Sequence, residues 1–399
     1  MLLSPRRVVV LGSTGSVGRQ TADVVRRHPG SFEIVALGAG GGNLTVLAEQ
    51  IVEFEPCLVG IADPTALDDV RDRVAALASE AGRPAPQPSY LTGQQSLEEL
   101  AREQVDVVLN GITGSIGLPP TLAALEVGNT LALANKESLV VGGELVMKAA
   151  RPGQIVPVDS EHSAIAQALR GGAAGEVLRL IITATGGPFR GRQLAELGDV
   201  TVEQALAHPK WSMGPVISIN SATMANKGLE LIEAHLLFDI PYDRITIVVH
   251  PQAYIHSMVE FVDGATLAQI NPPDLRLPIA LGLAWPERVP GAVPGIDWSA
   301  AHTWEISPLD ELQTPMVALA RASGAQGGAA PCVYNAANEV AVDAFRNNEL
   351  AFPGIPEVVA ATLEAHEFDA GELSFEVLNH HDQSARDEAR RLIRKRDNR

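Results

Sequence analysis

The stretch RVVVLGSTGSVGRQTADVVRR, residues 7–27, predicts a buried strand, a glycine-rich turn and a helix in direct succession. The apolar run VVVL after Arg7 is typical of a parallel strand that is buried on both faces. Glycines at positions 12, 15 and 18 permit a tight turn, a close approach of the backbone to a phosphate, and helix N–H groups directed at that anion. The spacing GxxGxxG differs from the usual GxGxxG of dinucleotide-binding folds, so a plain strand-to-helix turn stays open as an alternative.

Strands and helices continue to alternate outward from this stretch. A second strand, at residues 32–37, ends in GAGGGN, residues 38–43, where a dinucleotide-binding fold contacts the adenosine ribose. This segment has neither the acid that usually selects NAD nor a base for NADP, so NADP is permitted, and a flexible loop is equally compatible with the glycines. Further strands are predicted at residues 105–110, 130–135, 155–158 and 178–185, while residues 75–96 are predicted to be a surface excursion.

The charge and the cysteine content limit the partners and the compartment. With 30 Lys and Arg against 48 Asp and Glu, the 399-residue chain has a net charge of −18, which argues against a nucleic-acid or anionic-membrane partner. Cys57 and Cys332 follow no paired spacing, which indicates a reducing compartment without a disulfide framework or a thiolate zinc site. Because the sequence shows no leader segment and no apolar run of spanning length, we expect a cytoplasmic protein of two or three domains.

The segment HPKWSMGPVISINSATMANKGLELIEAH, residues 208–235, combines many reactive side chains. Its second half is predicted as a helix in which Asn226 and Glu230 share one face, with Lys227 close beside them. Its first half is interrupted by proline and glycine and is predicted as a loop. The large apolar side chains of Trp211 and Met213 on this loop suggest a lid.

Two carboxylates follow the strand predicted at residues 155–158. Asp159 and Glu161 project to the same side if the extended geometry persists, and adjacent carboxylates repel unless a cation lies between them. With Glu230 as a third ligand, an all-oxygen set favours Mg²⁺ or Mn²⁺ over zinc and leaves coordination positions for substrate. Alternatively, Ser160 is only the N-cap of a helix, which is the more frequent role of such a triplet.

Hydroxyl, amide and ammonium donors also occur near strand ends. A small anion pocket is predicted from Thr185, Ser221, Asn226 and Lys227. Ser and Thr at turns are more often local caps, so each of them is weak evidence alone. Lys136 follows another strand, at the sheet edge where open α/β proteins bind ligands, although a solvated lysine is an equal alternative.

Motifs along nearly the whole chain closely resemble those of the 1-deoxy-D-xylulose 5-phosphate reductoisomerase family. In chain order they are GSTGSVG, ANKES, VDSEHSA, TATGGPFR, HPKWSMG and NSATMANKGLELIEA. The resemblance implies that the chain converts deoxyxylulose 5-phosphate into 2-C-methylerythritol 4-phosphate, for isoprenoid synthesis without mevalonate. It implies a rearrangement followed by reduction with NADPH, a divalent metal (Mg²⁺ or Mn²⁺), a sugar phosphate as substrate, and a homodimer.

The resemblance also implies a role for individual residues. The implied metal ligands are Asp159, Glu161 and Glu230, and Lys136 joins them in the implied catalytic set. The implied substrate contacts are Lys136, Ser160, Glu161, Thr185, His208, Ser221, Asn226, Lys227 and Glu230. The implied cofactor contacts are Thr14, Gly15, Ser16, Val17, Gly41, Gly42, Asn43, Asn135, Glu137 and Gly214. The implied flap carries Trp211 and Met213.

The predicted fold class is α/β, with an N-terminal Rossmann-like NADP-binding domain, an α+β catalytic domain and a small C-terminal helical domain. The predicted bounds are 1–158 for the first, 159–285 for the second and 314–399 for the third, with a proline-rich linker at 286–313. Two alternative functions stay open. The first is a semialdehyde or hydroxy-acid dehydrogenase, which shares the glycine-rich start; the semialdehyde type needs a catalytic cysteine. The second is an NADP-binding sensor, which would have no turnover.

Four positions depart from the pattern of the family, and one of them, Thr185 in place of the commoner Ser, keeps the hydroxyl. Gly42 stands where many relatives have a base, so NADP preference would depend on Asn43 and backbone amides. Asn220 replaces a commoner Asp, and Leu275 stands where some relatives have a Met near the substrate. We expect neither of these two replacements to abolish activity.

Overall fold

The structure is a computed structural model that describes residues 4–208, 210, 214–368 and 371–397. Its strands are β1 (Arg6–Leu11), β2 (Phe32–Ala39), β3 (Leu58–Ile61), β4 (Ser89–Thr92), β5 (Val107–Asn110), β6 (Thr130–Leu133), β7 (Ile155–Pro157), β8 (Val177–Ala184), β9 (Ile245–Val249), β10 (Ile255–Phe261), β11 (Thr266–Ile270) and β12 (Ser307–Pro308). Its helices are α1 (Ser16–Arg27), α2 (Leu44–Phe54), α3 (Leu67–Glu80), α4 (Ser96–Ala101), α5 (Leu118–Glu126), α6 (Lys136–Ala149), α7 (Ser160–Ala168), α8 (Val202–Leu206), α9 (Pro215–Ala222), α10 (Ala225–Phe238), α11 (Arg276–Ala284), α12 (Pro315–Gln326), α13 (Ala330–Arg346), α14 (Gly354–Ala365) and α15 (Phe375–Asp397).

The chain folds as two compact units. The first comprises Met1–Ser138, Lys148–Ser163 and Asp274–Pro294, and the second comprises Leu139–Met147, Ala164–Pro273 and Gly295–Arg399. The finer domain division predicted from the sequence stays a prediction.

A parallel sheet in the order β4-β3-β2-β1-β5-β6-β7 forms the centre of the first unit. Its strands are short and apolar, and Val8, Val10 and Leu109 are buried in the core beside residues of α1 and α2. The chain builds the sheet outward in one direction from β1 to β4 and in the other from β5 to β7. In such a doubly wound sheet, ligands bind in the crevice at the carboxyl ends of the two strands where the order reverses, here β1 and β5.

The exits of β1 and β5 are in close contact at this crevice. Gly12 has a φ of +75°, and a side chain there would place its Cβ 2.6 Å from the carbonyl oxygen of Gly111. A Cβ on Gly18, in the first turn of α1, would lie 2.4 Å from the carbonyl oxygen of Gly12. Both positions therefore require glycine, because any side chain would overlap backbone atoms.

Helix α11 joins the first unit from much later in the chain. Arg276 forms ion pairs with Asp23 of α1 at 2.8 Å and with Asp274 at 2.5 Å. The buried side chain of Ile279 packs into the core of the parallel sheet. The sheet is therefore covered partly by a segment that is separated from it by more than one hundred residues of the second unit.

The second unit contains a mixed sheet in the order β11-β10-β8-β9-β12. β8 and β9 are parallel, whereas β10 and β11 form an antiparallel hairpin that pairs with β8. Leu180, Ile182 and Val259 of this sheet pack with Leu231 of α10 in one buried cluster. Helices α12 to α15 form a helical bundle, in which α13 contacts both α14 and α15.

Helix α10 packs closely against α12 and α13 through Gly228. A Cβ on Gly228 would lie 2.7 Å from the Cβ of Ala320 and 2.9 Å from the hydroxyl oxygen of Tyr334. Tyr334 is fully buried and donates its own hydroxyl hydrogen bond to the carbonyl oxygen of Met316 at 3.1 Å. Because position 228 has no side chain, α10, the helix that carries Lys227 and Glu230, can pack this closely against α12 and α13.

The observed architecture confirms the predicted fold class: a Rossmann-like parallel sheet, a second sheet and C-terminal helices. The surface excursion predicted for residues 75–96 is wrong, because α3 continues to Glu80 and β4 adds a parallel edge strand beside β3. β4 has two exposed and two half-exposed residues and no hydrophobic periodicity, so only its pairing with β3 defines it. The predicted linker likewise includes β12, which pairs with β9.

Among the helices of the described residues, none is long and apolar enough to cross a membrane.

Candidate functional site

Residues 12–18, which form the loop after β1 and the start of α1, are called the glycine loop here. Gly15 is the N-cap of α1 and leaves the first turn of this helix without a side-chain cap. Helix N–H groups in this arrangement bind phosphate, and the tight contacts of Gly12 and Gly18 let a ligand approach the backbone. Gln50 of α2 supports the loop from below, because its buried amide donates to the carbonyl oxygen of Ser13 at 2.8 Å. The geometry suits a pyrophosphate, and it contains the predicted contacts Thr14, Gly15, Ser16 and Val17.

The exit of β2 carries the other predicted contacts of the cofactor's adenosine half. Gly41 has a φ of +107°, and a Cβ there would lie 2.9 Å from the Cβ of Asp63. A Cβ on Gly42 would meet open space. Asn43 is the N-cap of α2, and its side-chain oxygen accepts from the backbone N–H of Val46 at 3.3 Å. Part of the Asn43 amide is thus committed to helix capping.

The start of α6 brings three predicted residues to the exits of β5 and β6. The buried amide of Asn135 donates to the carbonyl oxygen of Gly114 at 2.9 Å and accepts from the backbone N–H of Ser138 at 2.7 Å. It therefore holds the β5 exit against the first turn of α6. Lys136 and Glu137 are both buried, and the Lys136 ammonium forms an ion pair with Asp159.

The Asp159-Ser160-Glu161 triplet lies at the junction of β7 and α7, where the extended geometry considered for it does not persist. α7 begins at Ser160, and the Asp159 carboxylate accepts from the backbone N–H of Ser160 at 3.0 Å. The Ser160 hydroxyl donates to the Glu161 carboxylate at 2.5 Å. A helix does start here, as the alternative interpretation predicts, but Ser160 is its first residue. Glu161 occupies the first turn, where the helix dipole favours a carboxylate.

In the second unit, the first turns of α10 bring Asn226, Lys227 and Glu230 together as predicted. Glu230 is 1% exposed and Lys227 5% exposed, and the two form an ion pair. The Asn226 amide donates to the other carboxylate oxygen of Glu230 at 2.5 Å. A buried ion pair of this kind is costly to desolvate and weak evidence for stability, so its presence in a helix face points to function.

Thr185 and His208 also contact each other in this unit. The Thr185 hydroxyl oxygen lies 3.1 Å from Nε2 of His208. Thr185 begins a turn in which Gly187 has a φ of +66°, and a Cβ on Gly187 would lie 2.8 Å from the carbonyl oxygen of Ser221. The turn therefore packs directly on the end of α9. Met224, with a φ of +64°, then leads the chain from α9 into α10.

Two further parts of the predicted site concern residues 211–214. Trp211 and Met213, the predicted flap residues, lie outside the described residues. Gly214, a predicted cofactor contact, is the N-cap of α9. The loop predicted for the start of the 208–235 segment ends there, since α9 already begins at Pro215.

The structure adds buried polar residues that the sequence did not single out. Asn338 of α13 donates to the side-chain oxygen of Asn220 at 2.9 Å, and both amides are buried. The replacement of a commoner Asp at position 220 is thus matched by a neutral amide partner. Asn338 lies in the segment NAANEVAV, residues 335–342, and Gln50 in no motif, and only the structure shows the contacts of either residue.

The two cysteines differ in their surroundings. Cys332 is fully buried in α13, and burial raises the pKa of its thiol well above the ordinary value. Cys57 is exposed in the turn before β3. A buried, protonated thiol is inert, which disfavours the semialdehyde dehydrogenase alternative for Cys332.

Comparison with known proteins identifies the family. Profiles described as "1-deoxy-D-xylulose 5-phosphate reductoisomerase", its "C-terminal domain" and "DXP reductoisomerase C-terminal domain" match residues 8–143, 155–238 and 270–388. The chain is 58% identical over 361 residues to the reductoisomerase of Kitasatospora griseola, covering 90% of this chain and 92% of that protein. It is 57% identical over 362 residues to the reductoisomerase of Streptomyces coelicolor, covering 91% of this chain and 86% of the relative.

Solved structures agree with this assignment. A reductoisomerase from Zymomonas mobilis in complex with NADPH has a TM-score of 0.88 at 42% identity, over 98% of this chain and 99% of that one. A reductoisomerase in complex with NADPH, fosmidomycin and magnesium has a TM-score of 0.89 at 35% identity, over 98% of both chains. The chain therefore belongs to the 1-deoxy-D-xylulose 5-phosphate reductoisomerase family.

Proposed function

We propose that this chain converts 1-deoxy-D-xylulose 5-phosphate into 2-C-methyl-D-erythritol 4-phosphate, with NADPH as reductant and a divalent metal. The observation that carries the proposal is family membership over nine-tenths of the chain at 58% identity. The reaction belongs to the non-mevalonate route to isoprenoids and makes the protein an oxidoreductase that also isomerises its substrate. The rearrangement itself follows from the family and not from any single contact.

The first unit supports NADPH as the reductant. The glycine loop offers the uncapped first turn of α1 to the pyrophosphate, and the exit of β2 offers Gly41, Gly42 and Asn43 to the ribose end. We assign Asn135, Glu137 and Gly214 to the nicotinamide half. The relatives solved with NADPH support NADPH as the cofactor.

The donor sets fit a hard divalent ion. Asp159 forms an ion pair with Lys136 in the first unit, and Glu230 forms one with Lys227 in the second, so each carboxylate stands where a cation is favourable. Carboxylate oxygens suit Mg²⁺ or Mn²⁺. We propose Asp159, Glu161 and Glu230 as the ligands of one ion. When bound, such an ion polarises the substrate carbonyl and stabilises the negative charge that develops on its oxygen.

Side chains of the second unit fit the phosphate end of the substrate. We assign this role to Thr185, Ser221, Asn226 and Lys227, with His208 beside Thr185. Hydroxyl, amide and ammonium donors bind a phosphate although the chain has a net charge of −18. Ser160 and Lys136, beside the two acids of the first unit, would orient the reacting carbons and supply an ammonium near the developing charge. Trp211 and Met213 would close over the substrate and exclude water.

The proposal predicts that NADPH oxidation requires both deoxyxylulose phosphate and a divalent ion. The absorbance of NADPH should fall only when substrate and Mg²⁺ or Mn²⁺ are present, stop when EDTA is added, and resume when excess metal is returned. Oxidation that continues in EDTA would contradict the metal assignment. Tight NADPH binding without turnover under all conditions would favour a sensor.

The same assay separates the dehydrogenase alternative. A variant carrying both Cys57→Ser and Cys332→Ala should retain its turnover, because neither thiol is assigned to the reaction and the buried thiol is replaced by a small apolar side chain. Loss of turnover in a variant that still unfolds cooperatively would favour a thiol-dependent enzyme.

We also propose that the protein acts as a homodimer in the cytoplasm. β11 lies at the edge of the five-stranded sheet, with Leu267 41% exposed, and such an edge is a template for pairing with a second copy. Two free cysteines accord with a reducing compartment. Light scattering after gel filtration should give twice the 42.2 kDa mass of the chain. A Leu267→Lys variant should shift the mass toward one chain, and an unchanged mass would place the interface elsewhere.

Position 42 provides a prediction on cofactor preference. Replacing Gly42 with arginine should lower the Kd for NADPH about tenfold and leave the Kd for NADH unchanged, because a guanidinium pairs with the 2′-phosphate that only NADPH carries. Open space around position 42 admits the side chain. Fluorescence titration of both cofactors measures the effect. Gly42→Gln is the matched control without charge, and equal tightening of NADH would show that the arginine acts on another part of the cofactor.

A further inference from the structure

The second unit contains a surface cavity of about 410 Å³ that has no assigned role. Residues from five parts of the unit line it: the turn after β8, the α9–α10 junction, the end of β9, the segment around β12 and the start of α14 with the loop before it. Thr185, His208, Ser221, Asn226 and Lys227, which we assign to the substrate phosphate, are not among its lining residues. The volume lies in the range of pockets that hold small organic ligands.

The base of the cavity is apolar and aromatic. Phe189 and Phe352 form an edge-to-face pair with ring centroids 5.1 Å apart, and both rings are buried. Leu194, Leu197 and Met224 also contribute to the lining. This composition favours a ligand with an apolar body, because burying such a body removes apolar area from water on both sides.

Two guanidinium groups stand at the exposed side of the same cavity. Arg190 and Arg192 both line it, and Arg192 lies over the Phe189 ring with its Cζ 5.9 Å from the centroid. One donor of Arg192 is used by the carbonyl oxygen of Glu196 at 2.8 Å. Asp310 is the acidic residue of the lining, and its carboxylate accepts from the backbone N–H of Leu312 at 3.0 Å. The lining thus combines two positive charges with one negative charge.

We propose that this cavity binds an amphipathic anion: a small ligand with an apolar body and one phosphate or carboxylate head. The body would lie against Phe189 and Phe352, and the head would meet Arg190 and Arg192. Guanidinium groups bind phosphate and carboxylate through paired N–H donors, and their placement above an apolar base orients such a ligand.

Two residues that line the cavity are sequence neighbours of residues assigned to the substrate phosphate. Gly186 follows Thr185 directly, and Ala222 follows Ser221 directly. A Cβ on Gly186 would lie 2.8 Å from the side chain of Arg190, so this turn and the arginine are in close contact. A ligand in the cavity would therefore lie beside residues that directly follow two of the assigned phosphate-binding residues.

Calorimetry with hexyl phosphate as the probe tests the proposal on the full chain. The double variant Arg190→Gln, Arg192→Gln should bind hexyl phosphate at least tenfold more weakly than the unaltered protein. Arg179→Gln, which removes an exposed arginine paired with Glu260 at 3.0 Å, should bind it equally well. Thermal unfolding of each variant verifies that the surface changes leave the fold intact.

Two further arms give the result that would overturn the proposal. Inorganic phosphate and hexanol each carry half of the probe, and both should bind at least tenfold more weakly than hexyl phosphate. Ser221→Ala, which alters the assigned substrate-phosphate pocket and not the cavity, should leave the part of hexyl phosphate binding that depends on Arg190 and Arg192 unchanged. If Ser221→Ala abolishes binding while the arginine variant retains it, the probe occupies the substrate pocket and the cavity is not a site. Equal binding of inorganic phosphate would show that the apolar base takes no part.

Discussion

Replacing Glu230 with glutamine should lower kcat about 10³-fold, the range found when one preorganised charge contact to the transition state is removed. The substitution keeps the size of the side chain and removes only its charge. Glu230 is 1% exposed and paired with Lys227, so a group from the protein surface cannot take its place without rearrangement of α10. The rate of NADPH oxidation with saturating deoxyxylulose phosphate and Mg²⁺ measures the loss.

A second readout separates loss of the ion from loss of the fold. Binding of Mn²⁺, followed by the electron paramagnetic resonance signal of the free ion, should weaken at least about tenfold in Glu230→Gln, in keeping with the effects of altered metal sites. Removing one partner of a buried ion pair can cost about 3–5 kcal/mol, because the other charge stays buried. Glutamine retains an acceptor for Lys227 and Asn226, so the unfolding midpoint should fall by less than such a loss implies.

The matched control for this experiment is Glu260→Gln. Glu260 is also an ion-paired glutamate of the second unit, but it lies on β10 with Arg179 as its partner and belongs to no assigned site. Its turnover should stay within about twofold of the unaltered protein, as expected for a surface pair. Full turnover in Glu230→Gln would refute the three-carboxylate site.

Replacing Gly18 with alanine should weaken NADPH binding about 100-fold, equivalent to about 2.7 kcal/mol. The new methyl group would lie 2.4 Å from the carbonyl oxygen of Gly12 and from two backbone atoms of Ser13. Backbone atoms at a strand exit cannot rotate away as a side chain does, so the glycine loop or α1 must shift. We expect about 1–3 kcal/mol of lost stability from the same overlap.

Fluorescence titration with NADPH and denaturant unfolding measure the two effects separately. Gly40→Ala is the matched control, because a Cβ on Gly40, in the other predicted cofactor segment, meets open space. It should bind NADPH as the unaltered protein does. If Gly18→Ala binds NADPH normally, the glycine loop is a plain strand-to-helix turn and the cofactor lies elsewhere.

The sequence supported the parts of the fold that repeat a strong local pattern. The β1–α1 stretch was predictable because an apolar strand, three spaced glycines and a helix each leave their own signal. The helix carrying Asn226, Lys227 and Glu230 was predictable for the same reason, since its apolar residues recur at helical spacing and are buried as α10. Family motifs then assigned roles that periodicity alone could not.

Features decided by long-range packing were not predictable. Four residues at β4 become a strand only because β3 offers an edge. The geometry around Asp159 depended on whether β7 continued through the triplet or α7 began inside it. In the structure β7 ends at Pro157 and α7 begins at Ser160. Asn338 and Gln50 form their contacts with residues that are distant in the chain. A single sequence does not contain these distances.

The close packing at Gly228 has a consequence for how the protein tolerates change. Lys227 and Glu230 flank a position where Tyr334 and Ala320 leave no room for a methyl group. Their placement is therefore set by residues about one hundred positions later in the chain. Heating that loosens the C-terminal bundle should extinguish catalysis before the parallel sheet of the first unit melts. A graft of these helices from a relative will work only if the grafted helices also carry a small side chain at position 320.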